Sequence, residues 1–260
     1  MTSLSPARPP VTAALLIIGN EILSGRTVDQ NLNFLATQLS EAGIALQECR
    51  VIVDDIPTIV RHLQELSRQY RLVFTSGGIG PTHDDMTAEA VAMAFDFPLE
   101  PNQIALDRLL VFYGSVEQLT PARRKMTLLP RGCGLIDNPI SAAPGFVVGN
   151  VYVMAGIPRV FQSMVGALLP SLSTGQAFIS LTIRCPVGES QIADILTHGQ
   201  ATYPSLQIGS YPYIKDGMPH TAVVTRGQDA ELVKGCTAAL FAQIQARVPD
   251  AMLESTSPPA

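Results

Sequence analysis

Residues 72–95 read LVFTSGGIGPTHDDMTAEAVAMAF. A β-rich run, Leu72 to Thr75, passes through Ser76 into Gly77, Gly78 and Gly80. Two adjacent carboxylates follow, Asp84 and Asp85, and then an alanine-rich segment with helical spacing at Met86, Ala90 and Ala94. The order is strand, glycine loop, helix start. Glycine lets the backbone take φ > 0 and come close to a ligand, and the first turn of a helix offers amides without internal partners, where anions bind. The stretch predicts a phosphate cradle.

Neither common phosphate loop fits. A dinucleotide fingerprint needs G-x-G-x-x-G, but His83 follows Thr82 here, and a P-loop ends in G-K-[ST] while no lysine lies nearby. Carboxylates beside a phosphate repel it unless a hard divalent cation bridges them or they face N–H or hydroxyl groups elsewhere on the ligand. The ligand should therefore carry more than phosphate. A plainer reading also exists, because Thr82 to Asp85 fits the capping pattern [ST]-x-x-[DE]. Three glycines in four positions followed by proline favour the site.

Working outward, Ala13 to Ile18 is an unbroken apolar run, as expected of a strand buried on both faces of a parallel sheet. It ends at Gly19 and is followed by Asn20, Glu21, Gly25, Asp29 and Asn31, then by a helix with Leu32, Leu35, Ala36 and Leu39 on one face. Loops after strand C-termini line the crevice of an open α/β sheet, which makes Glu21 a candidate beside the blander reading of a solvated glutamate. After Gly43, Ile44 to Val53 is a second strand ending at Asp54 and Asp55, and Pro57 opens a helix with Ile59, Val60, Leu63 and Leu66. Asp55 reads as that helix's cap; Asp54 is free to face a ligand. Three alternating strand and helix units predict a doubly wound, mainly parallel sheet.

Further on, a helix carries Ile104, Leu109 and Val111 to Tyr113, and Thr120-Pro121 opens a short helix with Arg123, Arg124 and Lys125. This cluster is the densest positive charge in an acidic chain and a candidate for steering an anion. Apolar runs at 146–148 and 151–154 around Gly149-Asn150 predict a hairpin. Gly145 and Gly156 are placed to bring backbone near the crevice. Residues 173–176 read as a linker, and 177–250 as a small α+β domain of order β-α-β-β-α, K-homology-like in that order but without the GXXG clamp of RNA-binding members. Residues 1–11 read as a flexible arm and 251–260 as a flexible tail.

With 260 residues, 47% of them hydrophobic, the chain suits a main domain of residues 12–173 with a smaller partner. A net charge of -5 argues against nucleic acid or a membrane surface as partner and leaves a small molecule. The four cysteines form no C-x-x-C pair, and residues 1–11 have no apolar signal core, so a cytoplasmic protein is expected.

The string TSGGIGPTHDDMT, with LIIGNEILSG before it and APGF and AGIP after it, resembles the molybdopterin-binding (MoCF biosynthesis) domain. It is most similar to the N-terminal part of the CinA (competence/damage-inducible protein A) family and to the related domain of eukaryotic FAD synthases. The resemblance implies that Gly77, Gly78, Gly80 and Thr82 hold phosphate, with Ser76, Asn31, Gly145 and Gly156 as further ligand contacts. Asp54 and Asp85 fall where molybdopterin enzymes place paired essential aspartates; Glu21, Asn31 and Asp84 belong to the CinA-like version of the site. AGIP stands where many relatives have PGxP, which bears on the contact at Gly156. The deamidase domain of longer CinA proteins has no counterpart within these residues, so that activity is not expected.

The leading expectation is metal-dependent hydrolysis of the pyrophosphate bond of an ADP-ribose-like or dinucleotide ligand. Asp54, Asp84 and Asp85 would be catalytic; Glu21, Asp84 and Asp85 would hold Mg²⁺, Mn²⁺ or Co²⁺, with K⁺ as a further ion. Alternatives are a molybdopterin-binding protein or adenylyl transferase of molybdenum cofactor biosynthesis, and a non-enzymatic nucleotide-binding regulator. A homo-oligomer is expected, a dimer in preference to a trimer.

Overall fold

The unbroken apolar run becomes strand β1, Val11–Ile18, and every side chain from Ala13 to Ile18 is buried. The structure, a computed structural model, describes residues 11–172 and 176–254. The expected arm at 1–10, the linker at 173–175 and the tail at 255–260 lie outside the described residues. Val11, assigned to the arm, instead pairs with Ile44 at the start of β1.

After β1 come α1 (Asn20–Leu23), α2 (Asn31–Glu41), β2 (Ile44–Ile52), α3 (Ile56–Gln69), β3 (Leu72–Ser76) and α4 (Thr87–Ala94). Next are β4 (Leu99–Pro101), α5 (Gln103–Tyr113), α6 (Pro121–Lys125), β5 (Leu128–Pro130), β6 (Gly134–Ile136), β7 (Gly145–Val148), β8 (Val151–Met154) and α7 (Pro158–Leu168). Beyond residue 176 lie β9 (Ile179–Cys185), α8 (Ala193–Thr202), β10 (Gln207–Lys215), β11 (Met218–Gly227), α9 (Ala230–Arg247) and β12 (Met252–Leu253). The chain divides into two compact units, Met1–Gly175 and Gln176–Ala260.

In the first unit the strand order is β2-β1-β3-β8-β7-β6, and β2, β1, β3 and β8 run parallel. The hairpin expected around Gly149-Asn150 joins β7 to β8, with Phe146 opposite Val153. Alternation along β1 sends Ala14, Leu16 and Ile18 to a core shared with α3 and α4, and Ala13, Leu15 and Ile17 to one shared with α2 and α7. The mixed α/β, mainly parallel, doubly wound sheet is as the sequence predicts. The chain leaves β1 toward β2 on one side and continues from β3 toward β8 on the other. The C-terminal ends of β1 and β3 therefore flank a topological switch point, where an open sheet leaves a crevice. A short ribbon of β4 with β5 was not anticipated. No helix among the described residues is long and apolar enough to cross a membrane.

The second unit is an antiparallel sheet of order β10-β11-β9-β12 whose core lies against α8 and α9. Here two expectations are corrected. Residues 251–254, read as tail, dock: Ala251 is buried, Met252 and Leu253 pair with β9, and Glu254 forms an ion pair with Arg184 at 3.0 Å. The added strand turns the predicted β-α-β-β-α order into β-α-β-β-α-β, a ferredoxin-like split arrangement rather than a K-homology-like one.

Candidate functional site

The site forms where the loops after β1, β2, β3 and β8 converge. Gly19 precedes α1, and the Asn20 amide donates to Asp54 Oδ2 at 2.8 Å, which ties the loop after β2 to the loop after β1. Asp55, as expected, caps α3 by accepting from the Thr58 amide at 3.0 Å. Glu21 folds back over Gly19, where a β-carbon would lie 2.6 Å from Glu21 Oε1.

The glycine loop is built by close approach. Gly77 has φ +113°, and a β-carbon there would lie 2.1 Å from the Ile18 carbonyl oxygen; Gly78 has φ +69°, with its β-carbon 2.2 Å from Thr87 Oγ1. Neither position accepts a side chain without displacing its neighbour. The Gly77 amide donates to the Met154 carbonyl at 3.1 Å. Thr87, fully buried at the start of α4, donates its hydroxyl to the Gly77 carbonyl and its amide to the Gly78 carbonyl, both at 3.0 Å. The amides of Gly78, Ile79 and Gly80 find no acceptor among the described residues. They are the donors that an oxyanion needs.

The capping reading of Thr82 to Asp85 is corrected. Helix α4 begins later, at Thr87, and Asp85 Oδ2 instead accepts from the amide of Thr82 at 2.8 Å and from its hydroxyl, closing a turn of the loop. Gly80 leaves room for that carboxylate, since a β-carbon would lie 2.6 Å from it. Lys125 Nζ donates to the Thr82 carbonyl across the loop. The Thr82 hydroxyl, its own backbone amide and the charges of His83 and Lys125 hold the exposed Asp84 below the ordinary carboxylate value. Because the Thr82 hydroxyl is bonded to Asp85, the amide is the firmer of these influences on Asp84.

Glu21, Asp54, Gly77, Gly78, Gly80, Thr82, Asp84, Asp85 and Gly156 all line one cleft of about 610 Å³. That volume suits a nucleotide-sized ligand. Three expected ligand contacts do not reach it. Asn31 is buried and donates through Nδ2 to Ser76 Oγ at 2.8 Å and to the Gly156 carbonyl at 2.7 Å, so Asn31 and Ser76 brace the loops from behind. Gly145 lies within β7, where a β-carbon would meet the Val153 carbonyl oxygen at 2.5 Å; it serves strand packing. Gly156 does reach the cleft, and its β-carbon would lie 3.2 Å from Gly77 Cα.

Of the basic cluster only Lys125 touches the glycine loop; Arg123 lies 3.9 Å over the Tyr113 ring and Arg124 donates to the Leu119 carbonyl. His83 points to solvent, 98% exposed. Thr87 was missed, although a threonine directly before AEAVAMA is a helix-start signal. Tyr113, Asn138 and Ser141 on the far wall carry no local signal.

No three His, Cys, Asp or Glu side chains among the described residues make a ready cation cage. Magnesium is often held by one or two carboxylates together with substrate phosphates. Glu21, Asp84 and Asp85, the expected cation ligands, line the same cleft without being gathered into such a cage.

The family described as "Probable molybdopterin binding domain" matches residues 14–174. The chain belongs to this family. Residues 177–251 match "FAD synthase, middle domain". The chain is similar to a CinA-like protein of Citrifermentans bemidjiense, 38% identical over 70% of this chain and 46% of that one. It is also similar to a probable FAD synthase of Caenorhabditis elegans, 32% identical over 88% of this chain and 49% of the other. It thus spans about half the length of these two relatives. Among solved structures, the CinA protein of Thermoplasma acidophilum superposes with a TM-score of 0.59 at 34% identity, covering 63% of this chain and 98% of that one.

Proposed function

We propose that the cleft binds a pterin phosphate of the molybdopterin kind. The phosphate rests on the amides of Gly78, Ile79 and Gly80, and the N–H groups of the ring system face the carboxylates of Asp54 and Asp85. The observation that carries this is the juxtaposition of unpartnered amides with acceptor-only side chains in one cleft, since each set attracts a different end of such a ligand. The family match to a molybdopterin-binding domain supports the same reading. Calorimetric titration with molybdopterin tests it: saturable binding that Asp85→Ala weakens is expected, and no binding would refute it.

A second reading is cleavage of the pyrophosphate bond of an ADP-ribose-like ligand, favoured by Glu21, Asp84 and Asp85 standing around the same cradle. A divalent cation, when bound, supplies charge neutralisation at the phosphoryl oxygens and a more acidic water. Here the chain's own part is to orient the ligand through the glycine amides and to hold one carboxylate oxygen of Asp85 on Thr82. Incubation with ADP-ribose, K⁺ and Mg²⁺, Mn²⁺ or Co²⁺ separates the readings: AMP release marks a hydrolase, and ligand retention without AMP marks a binding protein.

A further inference from the structure

The acids expected at the site stand around one cleft: Glu21, Asp54, Asp84 and Asp85 line it, and among the described residues no lysine or arginine does. A phosphate resting on the amides of Gly78, Ile79 and Gly80 would lie in the field of all these carboxylates. Amides offset only part of that repulsion, so the cradle calls for a positive charge. In a P-loop that charge is a lysine directly after the last glycine, which residues 77–85 lack.

The fold supplies a lysine from elsewhere. A smaller cavity of about 120 Å³ adjoins the cleft along the glycine loop, bordered by the same Gly78, Ile79, Gly80 and Asp85, and its one basic side chain among the described residues is Lys125. Helix α6 presents it from a pinned position. Thr120 caps the helix by accepting from the Arg123 amide at 3.3 Å, and Pro121 sits in its first turn. At the other end the buried Thr127 donates its hydroxyl to the Arg124 carbonyl at 2.8 Å, and its carbonyl accepts from the Asn102 amide at 2.8 Å. Lys125 Nζ is thereby brought to the carbonyl of Thr82, 43 positions away in sequence. That acceptor is neutral, and Lys125 forms no ion pair among the described residues. The ammonium gains by exchanging a neutral acceptor for an anionic one, and its flexible four-carbon stem lets the head make the move.

We propose that Lys125 is the phosphate-binding lysine of this site: it holds the loop through the Thr82 carbonyl and transfers its ammonium to the phosphate oxygens when a phosphate ester settles on the glycine amides. The inference rests on the reading of those amides as a phosphate cradle, and not on which ring the ligand carries.

Calorimetric titration of the full chain tests it, with molybdopterin, its dephosphorylated form and inorganic pyrophosphate as probes, each in EDTA, and with thermal unfolding as a check that each variant folds. Lys125→Met keeps the stem and removes the charge. It is expected to weaken molybdopterin and pyrophosphate about ten- to a hundredfold and to leave the dephosphorylated form within about twofold, while Lys125→Arg recovers most of the loss. Added salt should lower the affinity of the unaltered chain for pyrophosphate more steeply than that of Lys125→Met. Unchanged affinity in Lys125→Met would overturn the proposal. So would an equal loss for both forms of the pterin, or a loss with no change in salt dependence, since either marks a residue that only props the loop. Pyrophosphate binding that appears only once Mg²⁺ is added would give the charge to a cation and overturn it too. If molybdopterin fails to bind while pyrophosphate binds through Lys125, the pterin reading falls and the lysine stands. If molybdopterin binds both chains equally, the reverse holds, and binding of none of the probes overturns both.

Discussion

Thr87 and Gly78 show how much of the cradle rests on single atoms. The Thr87 hydroxyl serves the Gly77 carbonyl from a buried position, so Thr87→Val removes the donor while keeping the shape. An acceptor left unpaired in that setting costs about 1–3 kcal/mol, and urea unfolding should show a loss of that size, with Thr87→Ser close to the unaltered protein. Gly78→Ala acts differently: the left-handed backbone costs a side chain about 1–2 kcal/mol, and the new methyl group must displace Thr87 Oγ1. Under the proposed function, calorimetry should show ligand affinity lost out of proportion to the drop in stability. At this scale the sequence is partly legible. Gly77, Gly78 and Gly80 announce themselves because only glycine fits. Asn31, Ser76 and Gly145 look the same in sequence whether they face a ligand or a neighbouring loop, and three-dimensional packing turns them away from the cleft.

Strand β2 and helix α3 are held together by a network that makes stability depend on pH. Arg50 bonds Glu48 at 2.6 Å, Glu65, and His62 Nδ1 at 2.6 Å, and the Tyr70 hydroxyl donates to Glu48 at 2.7 Å. The bond to Arg50 holds Glu48 and Glu65 below their ordinary 4.5. Burial first, then the charges of Arg50 and Arg61, hold His62 below its ordinary 6.5. For the glutamates, stability is present above 4.5 and lost as the pH falls through their lower folded values. For His62 the unfolded chain takes up the proton first, so stability already declines as the pH drops below 6.5. The signs agree, and urea midpoints should fall in two stages on acidification, with His62→Gln removing the upper one. Elements of this size were the most legible. The apolar run of β1 and the cap of α3 at Asp55 identify themselves locally, whereas β12 is two residues long and is specified by the open edge of β9.

The cores of the two units share no residue: those of the first lie between its sheet and the helices on either face, and that of the second between its own sheet and α8 with α9. Each unit therefore holds its own apolar burial and has its own reason to unfold cooperatively. Scanning calorimetry of the full chain is expected to resolve two transitions. The cleft residues from Glu21 to Gly156 all belong to the first unit, so a bound ligand stabilises that unit alone, by about 2.7 kcal/mol at a hundredfold excess over Kd. Under the proposed function, adding molybdopterin should move one transition upward while the other stays in place. If the transition of the first unit stayed in place while the second moved, the assignment of the site to the four converging loops would be wrong.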